Sequence, residues 1–317
     1  MSVLFCTIKG DHRKEKMIIR NESSKSCMSR YEEKTLKQLQ QIELMMMRDF
    51  DEFCEKNRID YVVLAGTALG AVRHGGFIPW DDDIDILIDH NDYDRFLNLV
   101  ERDLSDKYYV LSYETDKHHP VMNSHLCLKG TEFRTFDQML EENSGIFLDI
   151  FRFDNIPDDD RKMKKQWRRA WFWAKLMTLN EVKYPPLRYR GVKAVVIRSL
   201  LVIGHYLLKI FNVTTDLCYR KATYYRNLYN NIETRRLAYF FDTRMYTQML
   251  DKEDFFPPLR MNFDGLMVNV PNKVEKYLTD TFGDYMKIPP LEQRRNHRPD
   301  VLDFGPYDGY IFSQQEQ

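Results

Sequence analysis

Asp83 and Asp85 stand two apart in Asp83-Ile84-Asp85-Ile86-Leu87-Ile88, a run that alternates polar and apolar residues. The alternation predicts a strand with Asp83, Asp85 and Leu87 on one face and Ile84, Ile86 and Ile88 on the other. The two carboxylates then lie about 7 Å apart along the chain. Carboxylates on an otherwise apolar strand are costly to bury unless a cation pairs with them. A magnesium ion held by hard oxygen ligands is the simplest such partner. A third acid of this kind is Asp149, the sole charge in Ile146-Phe147-Leu148-Asp149-Ile150-Phe151. Alternation sets it with Phe147 and Phe151, opposite Ile146, Leu148 and Ile150. A lone strand Asp can simply hydrogen-bond a nearby loop, but a cation shared with Asp83 and Asp85 is the favoured reading. Asp81 has the same parity as Asp83 and Asp85 but follows Pro79-Trp80, so it serves as base or outer-sphere ligand. Asp82 points away and reads as structural.

Just upstream lies a segment suited to phosphate. Residues 61–65 form an apolar, β-branched run, Gly66-Thr67 breaks it, residues 68–72 predict a short helix, and His74-Gly75-Gly76 ends that helix. A small-residue turn at a helix start presents free backbone N–H groups to an anion. Gly66 allows close backbone approach, and Thr67 offers a hydroxyl there or as helix N-cap. Arg73 can neutralise phosphate charge, and His74 is a candidate phosphate donor or acceptor-side contact. Together the two halves predict a metal-dependent site for a nucleotide diphosphate, where catalysis is mainly positioning and charge neutralisation.

The 317 residues suffice for one large domain or two modest ones, and 43% are hydrophobic, compatible with a packed core. Five scattered cysteines with no CxxC pair indicate neither a disulfide framework nor a thiolate zinc site, so a reducing compartment is expected. Residues 1–8 are too short an apolar run for a signal peptide. Residues 1–30 read as a disordered extension. Residues 31–57 predict an amphipathic helix with Leu36, Leu39, Ile42, Met46, Phe50 and Phe53 on its buried stripe. A helix over 93–104 follows the central strand, capped from 89–91. Strands are expected at 107–113, 122–128 and 131–136, the last two joined as a hairpin at Gly130. His118 and His119 fall in a loop expected at the surface. Asp154 and Asp158 to Asp160 read as turn and helix-start residues. Short strands at 237–246 and 263–270 and a helix at 274–278 complete the reading.

The net charge of −1 conceals an asymmetry. Residues 161–236 hold 18 Lys and Arg and 3 Asp and Glu, a balance of +15, which leaves −16 for the rest. Such a segment suits a polyanionic partner, or a set of solvated helix faces. Within it, residues 194–211 are the most apolar run, with Arg198, His205 and Lys209 within about 40° of one another on a helix. That stripe argues against a transmembrane helix. It predicts an amphipathic helix buried in the domain, which is favoured, or lying on a membrane surface.

The motifs resemble those of the LicD family, bacterial phosphocholine transferases related to fukutin and fukutin-related proteins. The resemblance is carried by GTALGAVRHGGFIPWDDDIDI at 66–86, GIFLDIF at 145–151 and FGDYMKIPP at 282–290, followed by Arg294 and His297. It covers roughly residues 31–298. It implies an α+β fold with a nucleotidyltransferase (polymerase-β-like) core, a mixed sheet flanked by helices, over 31–160. A basic helical region at 161–236 and a C-terminal region at 237–317 complete it. It further implies metal ligands at Asp83, Asp85 and Asp149, and substrate contacts at Gly66, Thr67, Arg73, His74, Arg294 and His297. The implied reaction moves phosphocholine or a related phospho-alcohol from CDP-choline or another CDP-alcohol to a glycan hydroxyl. CMP leaves, and Mg2+, or Mn2+ in its place, is the cofactor. The acceptor would be a cell-surface glycan such as lipopolysaccharide or teichoic acid. A cytoplasmic enzyme, peripheral on the inner face of an anionic membrane and with no nucleic-acid partner, is expected. Residues 1–30 and the VPNKVEKYL segment at 270–278 depart from the family pattern. Two other readings are nucleotidyl transfer to a small molecule or protein, and a non-catalytic glycan- or membrane-binding scaffold.

Overall fold

The computed structural model describes residues 31–134, 144–185, 187, 191–242, 245, 246 and 248–313. The extension expected at 1–30 lies outside them. The apolar stripe predicted for the first helix is realised in α1 (Glu33–Asn57), whose Leu36, Leu39, Ile42, Met46, Phe50 and Phe53 are all buried. Phe50 meets Tyr61 and Phe96 edge to face, which fixes α1 against the strand and helix that follow.

From α1 the chain enters β1 (Tyr61–Val63), α2 (Ala65–His74), β2 (Asp85–Asp89) and α3 (His90–Asp103). The Asp89 carboxylate accepts the Asn91 N–H and caps α3. Next come β3 (Tyr108–Leu111), β4 (Ser124–Leu128), β5 (Glu132–Arg134) and β6 (Phe147–Ile156). The sheet order is β1-β2-β6-β4-β3. β6 runs parallel to β2 and antiparallel to β4, while β1 is antiparallel to β2. This mixed sheet flanked by helices makes the protein α+β.

β6 is twice as long as β2 because its two halves serve different neighbours. Its first half lies between β2 and β4, and its second half pairs with β7 (Arg236–Ala238), which in turn pairs with β8 (Met249–Asp251). Between β6 and β7 stand α4 (Asp160–Glu181), α5 (Gly191–Ile210) and α6 (Thr215–Arg226). The chain ends with α7 (Lys252–Phe255), β9 (Leu259–Phe263), β10 (Leu266–Val270), α8 (Val274–Phe282) and β11 (Val301–Asp303).

Several expectations fail, most of them because tertiary partners outrank local pattern. The hairpin at Gly130 does not form. Gly130 does turn the chain at φ 80°, but β5 pairs with β11 instead of β4. Asp154 is no turn residue: it lies inside β6, fully buried, with Arg152 Nε at 3.0 Å and Arg226 Nε at 3.8 Å. The second half of β6 can hold a carboxylate because two guanidiniums come with it. His119 is buried, not at the surface, with Nε2 3.1 Å from the Asn123 carbonyl oxygen, while His118 is exposed. The helix expected to be buried at 194–211 is α5, and Leu208 is its one buried residue.

Candidate active site

The parallel register of β2 and β6 sets Asp85 directly beside Asp149. Asp83 lies two residues before β2, in a loop rather than in the strand, yet its carboxylate reaches the same place. Asp83, Asp85 and Asp149 can each present an oxygen within 4.8 Å of the other two. The apolar alternate positions Ile84, Ile86, Leu148 and Ile150 are completely buried beneath them. Burial, followed by the charges of Asp83, Asp149 and Asp81, pushes the Asp85 carboxyl well above the ordinary carboxylate range. His297 acts in the opposite direction and does not outweigh these effects. An all-oxygen, mutually repelling donor set of this kind fits a hard divalent cation.

α2 begins where β1 ends, through Ala65 at φ 44°, whose N–H donates to the Tyr277 hydroxyl at 2.9 Å. A non-glycine residue in this left-handed region is strained, and the strain sits at the strand-to-helix turn of the site. Gly66 and Thr67 therefore occupy the first turn of α2 and not a loop before it. Leu64 is the N-cap, so Thr67 does not cap the helix. The Thr67 hydroxyl oxygen instead accepts the Asp85 N–H at 2.9 Å, tying α2 to the start of β2. A Cβ on Gly66 would meet Asp81 Oδ2 at 2.5 Å. The closest neighbour that glycine admits is thus a carboxylate of this chain. Burial, then Asp83 and Asp82, raise the Asp81 carboxyl well above its usual range.

The loop from Gly75 to Asp83 is held from both ends of the chain. The Gln40 side-chain amide on α1 donates to the Asp81 carbonyl at 2.9 Å. The Phe77 N–H donates to Asp264, in the turn between β9 and β10, at 2.9 Å. Asp82 is buried, its two oxygens accept the His297 N–H at 2.8 and 2.9 Å, and its carboxylate does not point away but lies with Asp83 and His297, each offering an atom within 4.8 Å of the others. The bond to Asp82 presents the His297 ring to Asp83, with Nδ1 at 3.0 Å. Hydrogen bonding to Asp82 and Asp83 raises the imidazole to about 11, although the side chain is 65% open to solvent, which screens the attraction.

Arg73, His74 and Arg294 stand at the rim. Arg73 Nη1 donates to the Tyr285 carbonyl at 2.7 Å, and burial lowers its pKa while Asp81 opposes that. Burial, then Arg73, lowers the pKa of His74; its ring meets Trp80 edge to face. Arg294 stacks its guanidinium over Trp80, 4.3 Å from the ring centre. Trp80 thus brings His74 and Arg294 together, and Arg73 precedes His74 at the end of α2.

Three side chains near the acids escape a reading of the sequence. His125, opposite Asp149 on β4, brings Nε2 to 3.1 Å from Asp149 Oδ1, and Asn123 donates to the same oxygen at 3.0 Å. Glu43 of α1 is buried, its Oε2 has no hydrogen-bond partner among the described residues, and burial, then Asp82, Asp83, Asp81 and Asp149, raises its carboxyl. No local motif marks them. His125 is found only once β4 is known to neighbour β6. Glu43 shows in the sequence as an acid near the apolar stripe of α1, a signal that means nothing until the helix is placed.

Residues 58–196 match the family model described as LicD/FKTN/FKRP, nucleotidyltransferase domain. Together with a relative that spans most of the chain, this match supports a LicD-type phosphotransferase. That relative is the lipopolysaccharide cholinephosphotransferase LicD of Haemophilus influenzae, 27% identical over 271 residues, which are 83% of this chain and 96% of the relative. An uncharacterized protein of Rickettsia prowazekii is 35% identical over 113 residues, 36% of this chain and 39% of its own length.

Proposed function

We propose that the protein transfers phosphocholine, or a related phospho-alcohol, from a CDP-activated donor to a hydroxyl of a cell-surface glycan, with CMP as the other product. The name of the Haemophilus influenzae relative supports phosphocholine and lipopolysaccharide as the donor group and acceptor class. The observation that carries the chemistry is the convergence of Asp83, Asp85 and Asp149 from a loop and two parallel neighbouring strands. On this reading the sheet is the core of a nucleotidyltransferase (polymerase-β-like) fold, and the reaction takes place on the cytoplasmic side.

Asp83, Asp85 and Asp149 would hold Mg2+, which supplies charge neutralisation to the diphosphate oxygens and favours loss of the acceptor proton. Thr67 keeps Asp85 oriented through its backbone, and Asn123 and His125 do the same for Asp149. Asp81, which lies against Gly66 at the start of α2, is the candidate base for the acceptor hydroxyl. Arg73 and Arg294 would meet the donor phosphates, and Trp80 holds Arg294 in place.

Thermal-shift screening with CDP-choline, CDP-ribitol, CDP-glycerol and CDP-ethanolamine, each with Mg2+, identifies the donor. Mass spectrometry of the acceptor then decides the reaction. A gain of phosphocholine or its analogue, with stoichiometric CMP, is expected. A gain of a nucleotide would replace this reading with nucleotidyl transfer. Absence of Mg2+-dependent nucleotide binding in calorimetry would leave a non-catalytic scaffold.

A further inference from the structure

α5 presents its apolar side outward. Its 20 residues span about 30 Å, and the helix is long and apolar enough to cross a membrane. Val192, Val195, Val196, Leu200, Ile203 and Ile210 are between 52% and 81% exposed. At 100° per residue they fall on one arc about 140° wide. Arg198 and Lys209 border this arc on one side and Lys193 on the other. The opposite side of the helix is taken by the protein. Leu208 is buried, Gly204 lies against Leu179 of α4, and His205 Nδ1 sits 2.7 Å from the Leu179 carbonyl oxygen. An open groove beside the arc is lined by Tyr184, Val195, Arg198, Val202 and Ile203, apolar walls with one guanidinium at the edge.

An exposed apolar face of this size marks an interaction surface, and charge selects the partner. α5 belongs to the segment with a balance of +15. Part of that charge is spent inside the protein, since Arg226 and Arg236 are buried against Asp154 and Asp160. The lysines and arginines exposed on α4 and α5 remain. A second copy would bring a like-charged fringe against this one, whereas an anionic lipid surface complements both the fringe and the apolar arc.

We propose that α5 docks the protein on anionic lipid bilayers by lying in the membrane plane. The apolar arc from Val192 to Ile210 enters the boundary between headgroups and acyl chains, and Arg198 and Lys209 reach back to lipid phosphates. α5 lies flat and does not span. Leu208 and the His205–Leu179 contact keep it on α4, and the stripe of Arg198, His205 and Lys209 would otherwise enter hydrocarbon. The inference rests on α5 and goes beyond the transferase reading of the carboxylate site, so either can fail alone.

The test is flotation of the full chain with vesicles of phosphatidylcholine, with and without phosphatidylglycerol. Binding to the anionic vesicles that weakens as salt rises is expected. The double variant Leu200→Glu/Ile203→Glu alters two exposed side chains, so its melting temperature should be unchanged. Its partitioning should fall about a hundredfold, from the lost burial of two large aliphatic groups. In an Ile203→Trp variant, emission should shift to the blue on vesicles and be quenched by acyl-brominated lipid. Absence of flotation at low salt overturns the proposal. So does flotation that the double glutamate variant leaves intact, since charge alone would then account for it. A dimer of the wild-type chain that the same variant dissolves, without vesicle binding, would assign the face to a second copy and also overturn it.

Discussion

The two halves of β6 each carry an aspartate five positions apart, and the protein surrounds them in opposite ways. Asp154 is fully buried between Arg152 and Arg226, and Asn230 donates to its Oδ1 at 2.8 Å. Asp149 shares its surroundings with Asp83 and Asp85, where burial, followed by the neighbouring acids, holds Asp85 above its ordinary pKa. A buried carboxylate needs counter-charge from somewhere. Where the chain supplies guanidiniums, the acid ties strands to helices. Where it supplies more acids, the counter-charge on the proposed reading comes from a bound cation, and the acid becomes available for chemistry.

This contrast can be broken most directly by removing one charge at each end of the strand. Asp149→Asn and Asp85→Asn should each lower the transfer rate by about 10³-fold, the loss of several kcal/mol of charge stabilisation. Melting without divalent cation should be unchanged or raised, because repulsion is relieved. CMP release at the wild-type rate in both variants would remove the metal assignment. Asp154→Asn should do the reverse. It leaves Arg152 and Arg226 buried without their partner, a loss of about 3–5 kcal/mol in denaturant unfolding, with the remaining folded protein still active. Unfolding at the wild-type midpoint would show that the two aspartates are not opposites.

Two finer measurements sharpen the comparison at the catalytic end. His297→Gln keeps the backbone N–H on Asp82 but removes the imidazolium from Asp83. A rate loss of about tenfold is expected, roughly one exposed charge-assisted contact, with little change in melting. The pH response should be smaller still. Asp85 and Asp81 are raised in the cation-free protein, so their contribution to stability is complete below the ordinary carboxylate pKa of about 4. It is lost as pH rises through the raised folded values. Bound Mg2+ would displace the protons held there, so its stabilising effect in thermal melts should grow as pH rises above the ordinary carboxylate range. A pH-independent effect would mean the ion binds elsewhere.

The acids themselves were legible in the sequence. Asp85 and Asp149 stand out because alternation makes each an exception on an apolar strand, Asp83 shares the pattern although it lies in the loop before β2, and α1 announces itself by its stripe. What a one-dimensional pattern cannot carry is strand order. His125 belongs to the site because β4 lies beside β6, and Asp154 is neutralised because α6 brings Arg226 from over seventy positions away. The hairpin expected at Gly130 fails for the same reason, since β11, from near the far end of the chain, takes the edge of β5. α5 was misjudged for a different one. Its periodicity shows two faces but not which face the protein covers.

The last contacts to the site come from far along the chain. The backbone of residue 297 meets Asp82 across 215 intervening steps of sequence, and Tyr277 and Tyr285 reach Ala65 and Arg73 across 212. During synthesis the acids therefore leave the ribosome long before the segment that holds their loop. A nascent chain displays a cluster of carboxylates without its clasp, and closing so long a loop is slow. The clasp on that loop is thus completed late in the life of each molecule, only after residue 297 has emerged and folded back.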